Sequence, residues 1–266
     1  MEERITPKMF LNHMLARHGA VAEDLDIGPL VIGSWDRDFI SSFAEEVEAC
    51  PIPFWPQGGK GYNWKSGNRH ITLVTFPVGA PSAVTTLEFL IACGAKAVVG
   101  IGFTGSLQPS VPIGSFVFAD TCLREEGTSY HYIQEDSEIK AGPGLLGRLE
   151  QLMAQEDLKY EKGCIWTTDA IFRELKSKIS DYGRRGVLGV EMETSAMYAV
   201  GRFRKVDVCN LLIVSDELWD RWNPQLFGSK KMLQALNTLK RAFIKNIDAL
   251  AAGFEPEAVE VKNKYI

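Results

Sequence analysis

Between residues 29 and 215 the chain alternates short, mostly apolar runs with stretches whose apolar residues recur at helical spacing, and few folds accept that pattern. The runs are Pro29-Leu30-Val31-Ile32-Gly33, Ile71 to Pro77, Ala97 to Gly102, Ser115 to Cys122, Gly163 to Thr167 and Val208 to Ser215. They are too short for helices and read as strands buried on both faces. Helical spacing marks Arg37 to Ala49 (Phe39, Ile40, Phe43, Val47), Ser82 to Ala92, Leu145 to Gln155 and Thr194 to Phe203. Ser82 reads as an N-cap and Gly94 as a stop. A long amphipathic helix is predicted from Ser229 to Ala252, with Met232, Leu233, Leu236, Leu239, Phe243 and Ile247 on its apolar face. The expected fold class is therefore α/β, a single domain over residues 1–266 with a mixed central β-sheet flanked by α-helices. No repeat or interdomain linker interrupts it, and Glu257 to Lys264 reads as a frayed tail.

A chain of 266 residues can bury such a core without disulfides or a metal. The five cysteines are scattered, with no C-x-x-C pair, which suits reduced thiols and no zinc site. A net charge of −5 argues against nucleic acid as partner. The start Met1-Glu2-Glu3-Arg4 lacks the basic and apolar regions of a signal peptide, and no stretch approaches a membrane span. A cytoplasmic protein that binds no membrane is expected.

In folds of this class ligands sit beyond the carboxyl ends of the strands. Gly33, Gly79, Gly102-Phe103-Thr104-Gly105, Thr167-Thr168-Asp169 and Ser215-Asp216 all follow predicted strands, so these loops are expected to line one site. Two of them carry carboxylates in apolar settings: Val190-Glu191-Met192-Glu193, and Asp216 after Leu212-Ile213-Val214-Ser215. Buried carboxylates are costly unless partnered, so they point to a pocket that grips hydroxyl groups and supplies a proton. Taken alone, Glu191 and Glu193 also fit a helix N-terminus, Asp216 an N-cap, and Met192 plain core filling.

The order of these segments resembles the purine nucleoside phosphorylase and uridine phosphorylase superfamily. The resemblance is carried by Gly33-Ser34-Trp35-Asp36-Arg37, Gly79-Ala80-Pro81-Ser82, Gly102 to Pro109, Gly114 to Val117, Glu126 to Tyr132, Thr168-Asp169, Val190-Glu191-Met192-Glu193 and Val214-Ser215-Asp216. It implies a cofactor-free nucleoside phosphorylase that cleaves an N-glycosidic bond with inorganic phosphate, giving free base and ribose 1-phosphate. By resemblance Glu193 holds the ribose hydroxyls, Met192 packs on the sugar, and Asp216, with Ser215 beside it, protonates a purine ring nitrogen as the base leaves. Glu191, Thr104, Phe172 and Arg173 complete the expected nucleoside site. Phe172 would stack on the base and Arg173 bond a carbonyl, with Trp219 and Trp222 as a lid. His18, with His13 as competitor, would reach a neighbouring subunit's sugar.

Gly33, Arg37 and Thr104 are the expected phosphate ligands. Here the sequence departs from the family: Ser34-Trp35 stands where Asp-Pro is usual, Gly100 where a second arginine is usual, and Phe103 where a small hydroxyl residue is usual. An arginine lost from a buried anion costs on the order of 2 kcal/mol or more. Lys60 and Arg69 are the basic residues that would compensate. The departures keep open a nucleosidase using water, beside a uridine-type phosphorylase and a non-catalytic nucleoside-binding protein. The resemblance also implies a homo-oligomer, dimer-based and as large as a hexamer.

Overall fold

The computed structural model describes residues 3–134, 137–225 and 228–254, so the tail expected at Glu257 to Lys264 lies outside the described residues. The strands are β1 (Leu30–Ser34), β2 (Cys50–Pro51), β3 (Gly61–Ser66), β4 (Arg69–Thr75), β5 (Ala97–Ser106), β6 (Phe116–Glu125), β7 (Ile139–Lys140), β8 (Tyr160–Thr168), β9 (Gly189–Glu191) and β10 (Asp207–Glu217). The helices are α1 (Pro7–Ala16), α2 (Arg37–Glu46), α3 (Ala80–Ala92), α4 (Pro143–Gln155), α5 (Lys176–Arg184), α6 (Thr194–Arg204), α7 (Lys230–Lys245) and α8 (Ile247–Ala251).

All the strands belong to one mixed sheet, in the order β10-β6-β8-β9-β5-β1-β4-β3-β2, with β7 on β6. Because β10 also pairs with β5, the β5, β10, β6, β8 and β9 portion closes on itself, while β1, β4, β3 and β2 extend from it as an open wing. The apolar runs explain this placement. Residues 30–34 of β1 are wholly buried, as are Val208 to Ser215 of β10, so both strands need cover on both faces. The helices supply it: Phe39, Ile40 and Phe43 of α2, Leu87 and Leu90 of α3, and Met197, Tyr198 and Val200 of α6 all join the main core.

Helix α2 ends at Glu46, short of the predicted Ala49, and α4 begins at Pro143, two residues before the predicted Leu145; two other predicted helices change more. Helix α3 begins at Ala80, not after Ser82, with Gly79 at its N-cap. Gly79 has φ +97, a conformation glycine adopts freely, and Pro81 suits the first turn through its fixed φ. The predicted C-terminal helix is two helices. It breaks at Asn246, whose side-chain amide donates both to Ala242 O at 2.9 Å and to Glu156 Oε1 at 2.8 Å. Within α7, Leu236, Leu239 and Phe243 are buried as expected, but Leu233 remains exposed.

Candidate active site

The carboxyl ends of β5, β9 and β10 meet around a cavity of about 500 Å³. Its floor is β5, with Gly102, Phe103, Thr104 and Gly105; one wall is β10 with Leu212, Ser215 and Asp216. The segment Val190 to Glu193, joining β9 to α6, forms a second wall, and Trp35, Val78, Ile171, Phe172, Glu174, Leu218 and Trp222 come from loops. Expected site residues from three distant parts of the chain thus share one chamber.

Asp216 reaches the cavity because β10 carries a bulge. Along the β5–β10 ladder Val214 pairs with Thr104 and Asp216 with Gly105, so Ser215 is the extra residue. A bulge re-aims the side chains around it. Gly105 leaves room for the result, since a Cβ there would lie 3.4 Å from both Asp216 oxygens and 2.5 Å from Leu218. Both oxygens of Asp216 are held: Ser215 Oγ donates to Oδ1 at 2.6 Å and Trp222 Nε1 donates to Oδ2 at 3.0 Å.

The Glu191–Glu193 pair divides its work. Glu191 accepts from Thr167 Oγ1 at 2.5 Å, and from the Glu193 and Thr194 backbone N–H groups at 2.8 Å each. It therefore closes the amino end of α6, and its oxygens are occupied. Glu193 is 6% exposed, and its Oε1 accepts from the Gly79 N–H at the start of α3. Burial, and next the neighbouring Glu191, push the Glu193 carboxyl up to about 8 against the donated Gly79 hydrogen bond. Glu191 is raised too, by burial, in opposition to the hydrogen bonds from Thr167, Glu193 and Thr194.

Glu174 was not among the expected residues. It follows the short 3-10 turn Ile171–Arg173 and faces the same cavity as Asp216. Burial, and next Asp216, push its carboxyl up to about 7. Its only sequence signal was an acidic residue directly after Phe172-Arg173, which is weak. The Glu126 to Tyr132 segment, in contrast, is structural. Glu126 Oε2 accepts from Thr128 N and Ser129 N, and Oε1 from Ser195 Oγ, tying the end of β6 to α6.

The remaining expected residues separate. Met192 and Thr104 line the cavity, with Thr104 Oγ1 donating to Val190 O at 3.0 Å. Phe172 stands at the mouth, 96% exposed, while Arg173 is exposed and does not line the cavity. Trp222 lines it and Trp219 does not. Gly33 and Arg37 lie outside: Arg37 borders a separate recess of about 20 Å³ with Trp55, Thr75, Phe76 and Thr86. His18 is also outside, stacked on Phe54 at 4.3 Å. Lys60 donates to Ser41 Oγ on α2, and Arg69 lies 3.7 Å from Asp248. The charged residues lining the cavity are all acidic: Glu174, Glu191, Glu193 and Asp216.

Among the described residues no cluster of His, Cys, Asp and Glu is arranged to hold a metal ion, and no helix is long and apolar enough to cross a membrane. The sequence profile of the phosphorylase superfamily matches residues 30–244, which include every strand and the whole cavity wall. The chain belongs to the phosphorylase superfamily. Within the superfamily it is 31% identical over 184 residues to a guanosine phosphorylase of Halorubrum lacusprofundi, covering 68% of this chain and 76% of that one. It is 36% identical over 152 residues to an uncharacterized protein of Acanthamoeba polyphaga mimivirus, a match that spans 57% of this chain and 59% of the viral protein. Among solved structures, the uridine phosphorylase of Vibrio fischeri ES114 superimposes with a TM-score of 0.73 at 25% identity, covering 85% of this chain and 92% of that one. The superfamily relatives thus include purine and pyrimidine nucleoside phosphorylases, and the shared part of the chain holds the cavity.

Proposed function

We propose that this protein cleaves the N-glycosidic bond of a purine nucleoside and transfers the pentose to inorganic phosphate. The observation that carries the reading is that Glu193 and Asp216 face one chamber from the ends of adjoining elements, with Asp216 put there by a bulge in β10. Breaking the bond leaves positive charge on the ribose ring and negative charge on the base. Glu193, with Glu191 behind it, lowers the energy of the first through a carboxylate wall and accepts from the sugar hydroxyls. Met192 supplies an adaptable apolar surface for the sugar.

At the other end a transferable proton neutralises the base. Two carboxyl groups share that end; burial, and next Asp216, push Glu174 up to about 7, so Glu174 retains a proton near neutral pH that Asp216 can pass to the base. A purine has an imidazole nitrogen to receive it and a pyrimidine does not. This supports purines, as does the likeness to a protein named guanosine phosphorylase. In this reading the remaining assignments are Ser215 orienting Asp216, Phe172 closing over the base, and Arg37 with Gly33 and Thr104 on the phosphate side. His18 reaches a neighbouring site in a homo-oligomer. Exposed Met9 and Phe10 suit a subunit contact, and free cysteines suit the cytoplasm.

A second reading, hydrolysis by water, is favoured by one observation: the cavity wall carries four carboxylates, while Arg37 lies beyond it. A panel of purine and pyrimidine nucleosides, incubated with and without phosphate, separates the two. Purine release that requires phosphate and yields ribose 1-phosphate supports phosphorolysis. Release at the same rate without phosphate, yielding free ribose, would establish hydrolysis.

A further inference from the structure

The volume between the end of β1 and the floor of β5, expected to hold phosphate, is filled by two aromatic rings. Trp35 packs against β5: a Cβ on Gly102 would come within 2.9 Å of its ring, and one on Gly100 within 3.2 Å. Phe76 packs against Trp35 with centroids 5.3 Å apart, and it covers Gly33, where a Cβ would meet its ring at 2.1 Å. Phe76 borders the Arg37 recess and Trp35 borders the main cavity, so the ring pair is the partition between guanidinium and chamber. No carboxylate pairs with Arg37 among the described residues, which leaves its charge available.

The position of Trp35 also suits a nucleophile. Along β5, Trp35 covers the Gly100–Gly102 end and Asp216 stands at Gly105, three residues or about 10 Å further on. A nucleophile displacing a base must approach the sugar from the side opposite that base, which is the Trp35 end. The closed ring is not fully satisfied there: Trp35 Nε1 is enclosed and has no hydrogen-bond acceptor. An N–H left unpaired disfavours the closed position relative to one in which it meets an acceptor.

We propose that Trp35 sets the phosphate affinity of this site: indole and phosphate compete for the same volume, and phosphate enters only when the ring turns out and joins the chamber to Arg37. The proposal rests on the phosphorolytic reading for its purpose but not for its test. Gly100 belongs to the same feature, since a side chain there would start 2.2 Å from Asn210 Oδ1 and 3.2 Å from this indole. The affinity measured for phosphate is the intrinsic one reduced by the fraction of molecules with the ring out.

The test is calorimetric titration with inorganic phosphate of the wild type, Trp35→Ala and Trp35→Phe, each first shown to be folded by circular dichroism. Removing the ring should tighten phosphate binding about tenfold or more, with Trp35→Phe in between. Phosphate should also shift the tryptophan emission of the wild type to longer wavelength, and the shift should vanish in Trp35→Phe. Phosphate binding that is equal or weaker in both variants would overturn the proposal. Tighter binding in the variants together with phosphate-independent base release would uphold it and remove phosphorolysis instead.

Discussion

Replacing Glu193 by Gln should make the protein more stable and nearly inactive, and both effects follow from where the carboxyl sits. Its ordinary value is 4.5 and its value in the fold is about 8, raised first by burial and then by Glu191. A raised carboxyl favours the fold while neutral, so its contribution is fully present below about pH 4.5 and is lost as the pH rises through about 8. Near pH 7.5 the span already crossed is about three pH units, which at 1.36 kcal/mol each is a burden of about 4 kcal/mol. Glutamine keeps the oxygen that accepts from Gly79 N but carries no charge to bury. Allowing for the cost of burying its amide, the gain should be about 2–4 kcal/mol, or roughly 5–15 °C in Tm for a chain of this size. Near pH 4.5, where both side chains are largely neutral, the gain should fall below about 1 kcal/mol. Thermal unfolding of both proteins at the two pH values reads this directly. A Gln variant no more stable at pH 7.5, or a difference unchanged between the two pH values, would refute the reasoning. The same substitution removes charge-assisted bonds worth about 1.5–3 kcal/mol each, so kcat/KM should fall about 10²- to 10⁴-fold.

Three other outcomes follow from the same geometry. The pH profile of kcat/KM should be a bell centred between the Glu174 value of about 7 and the Glu193 value of about 8. It should rise as Glu193 ionises and fall as Glu174 loses its proton, and Glu174→Gln should flatten the alkaline limb; an unchanged limb would remove Glu174 from the chemistry. Thr167→Val deletes a buried hydroxyl that donates to Glu191 and accepts from Ser195 N, and should cost about 2–4 kcal/mol by urea denaturation; a loss under about 0.5 would count against Glu191 as the closure of α6. Phe172→Ala should leave Tm within about 2 °C, because the ring is 96% exposed, yet raise the nucleoside KM several-fold; an unchanged KM would show that the ring does not cover the base.

What the sequence disclosed was governed by burial on two faces. Val208 to Ser215 and Ala97 to Gly102 are mostly apolar because strands β10 and β5 lie inside the sheet, so their presence and type were legible. The closure of the sheet was not, because the β10–β5 pairing is a long-range contact that leaves no periodic trace. Asn246 ends α7 through a bond to Glu156, a residue 90 positions away, and no local reading contains that partner. In the site, Glu193, Met192, Ser215 and Asp216 were legible because carboxylates break apolar runs and because their order resembles a known family; the structure brings all four to one cavity. Glu174 and Trp35 sit in loops, where the identity of a residue does not tell which way it faces. The anion side was expected at Gly33, Arg37 and Thr104, yet in this conformation only Thr104 borders the cavity.

The central claim is that Asp216 delivers a proton to the imidazole nitrogen of a departing purine. The direct measurement is kcat/KM for a purine nucleoside and for its 7-deaza analogue, in which that nitrogen is carbon, with wild type and Asp216→Asn. The account predicts that Asp216→Asn slows the purine substrate about 10²- to 10⁴-fold and the 7-deaza substrate hardly at all, because the proton has nowhere to go. Equal slowing of both substrates would contradict it.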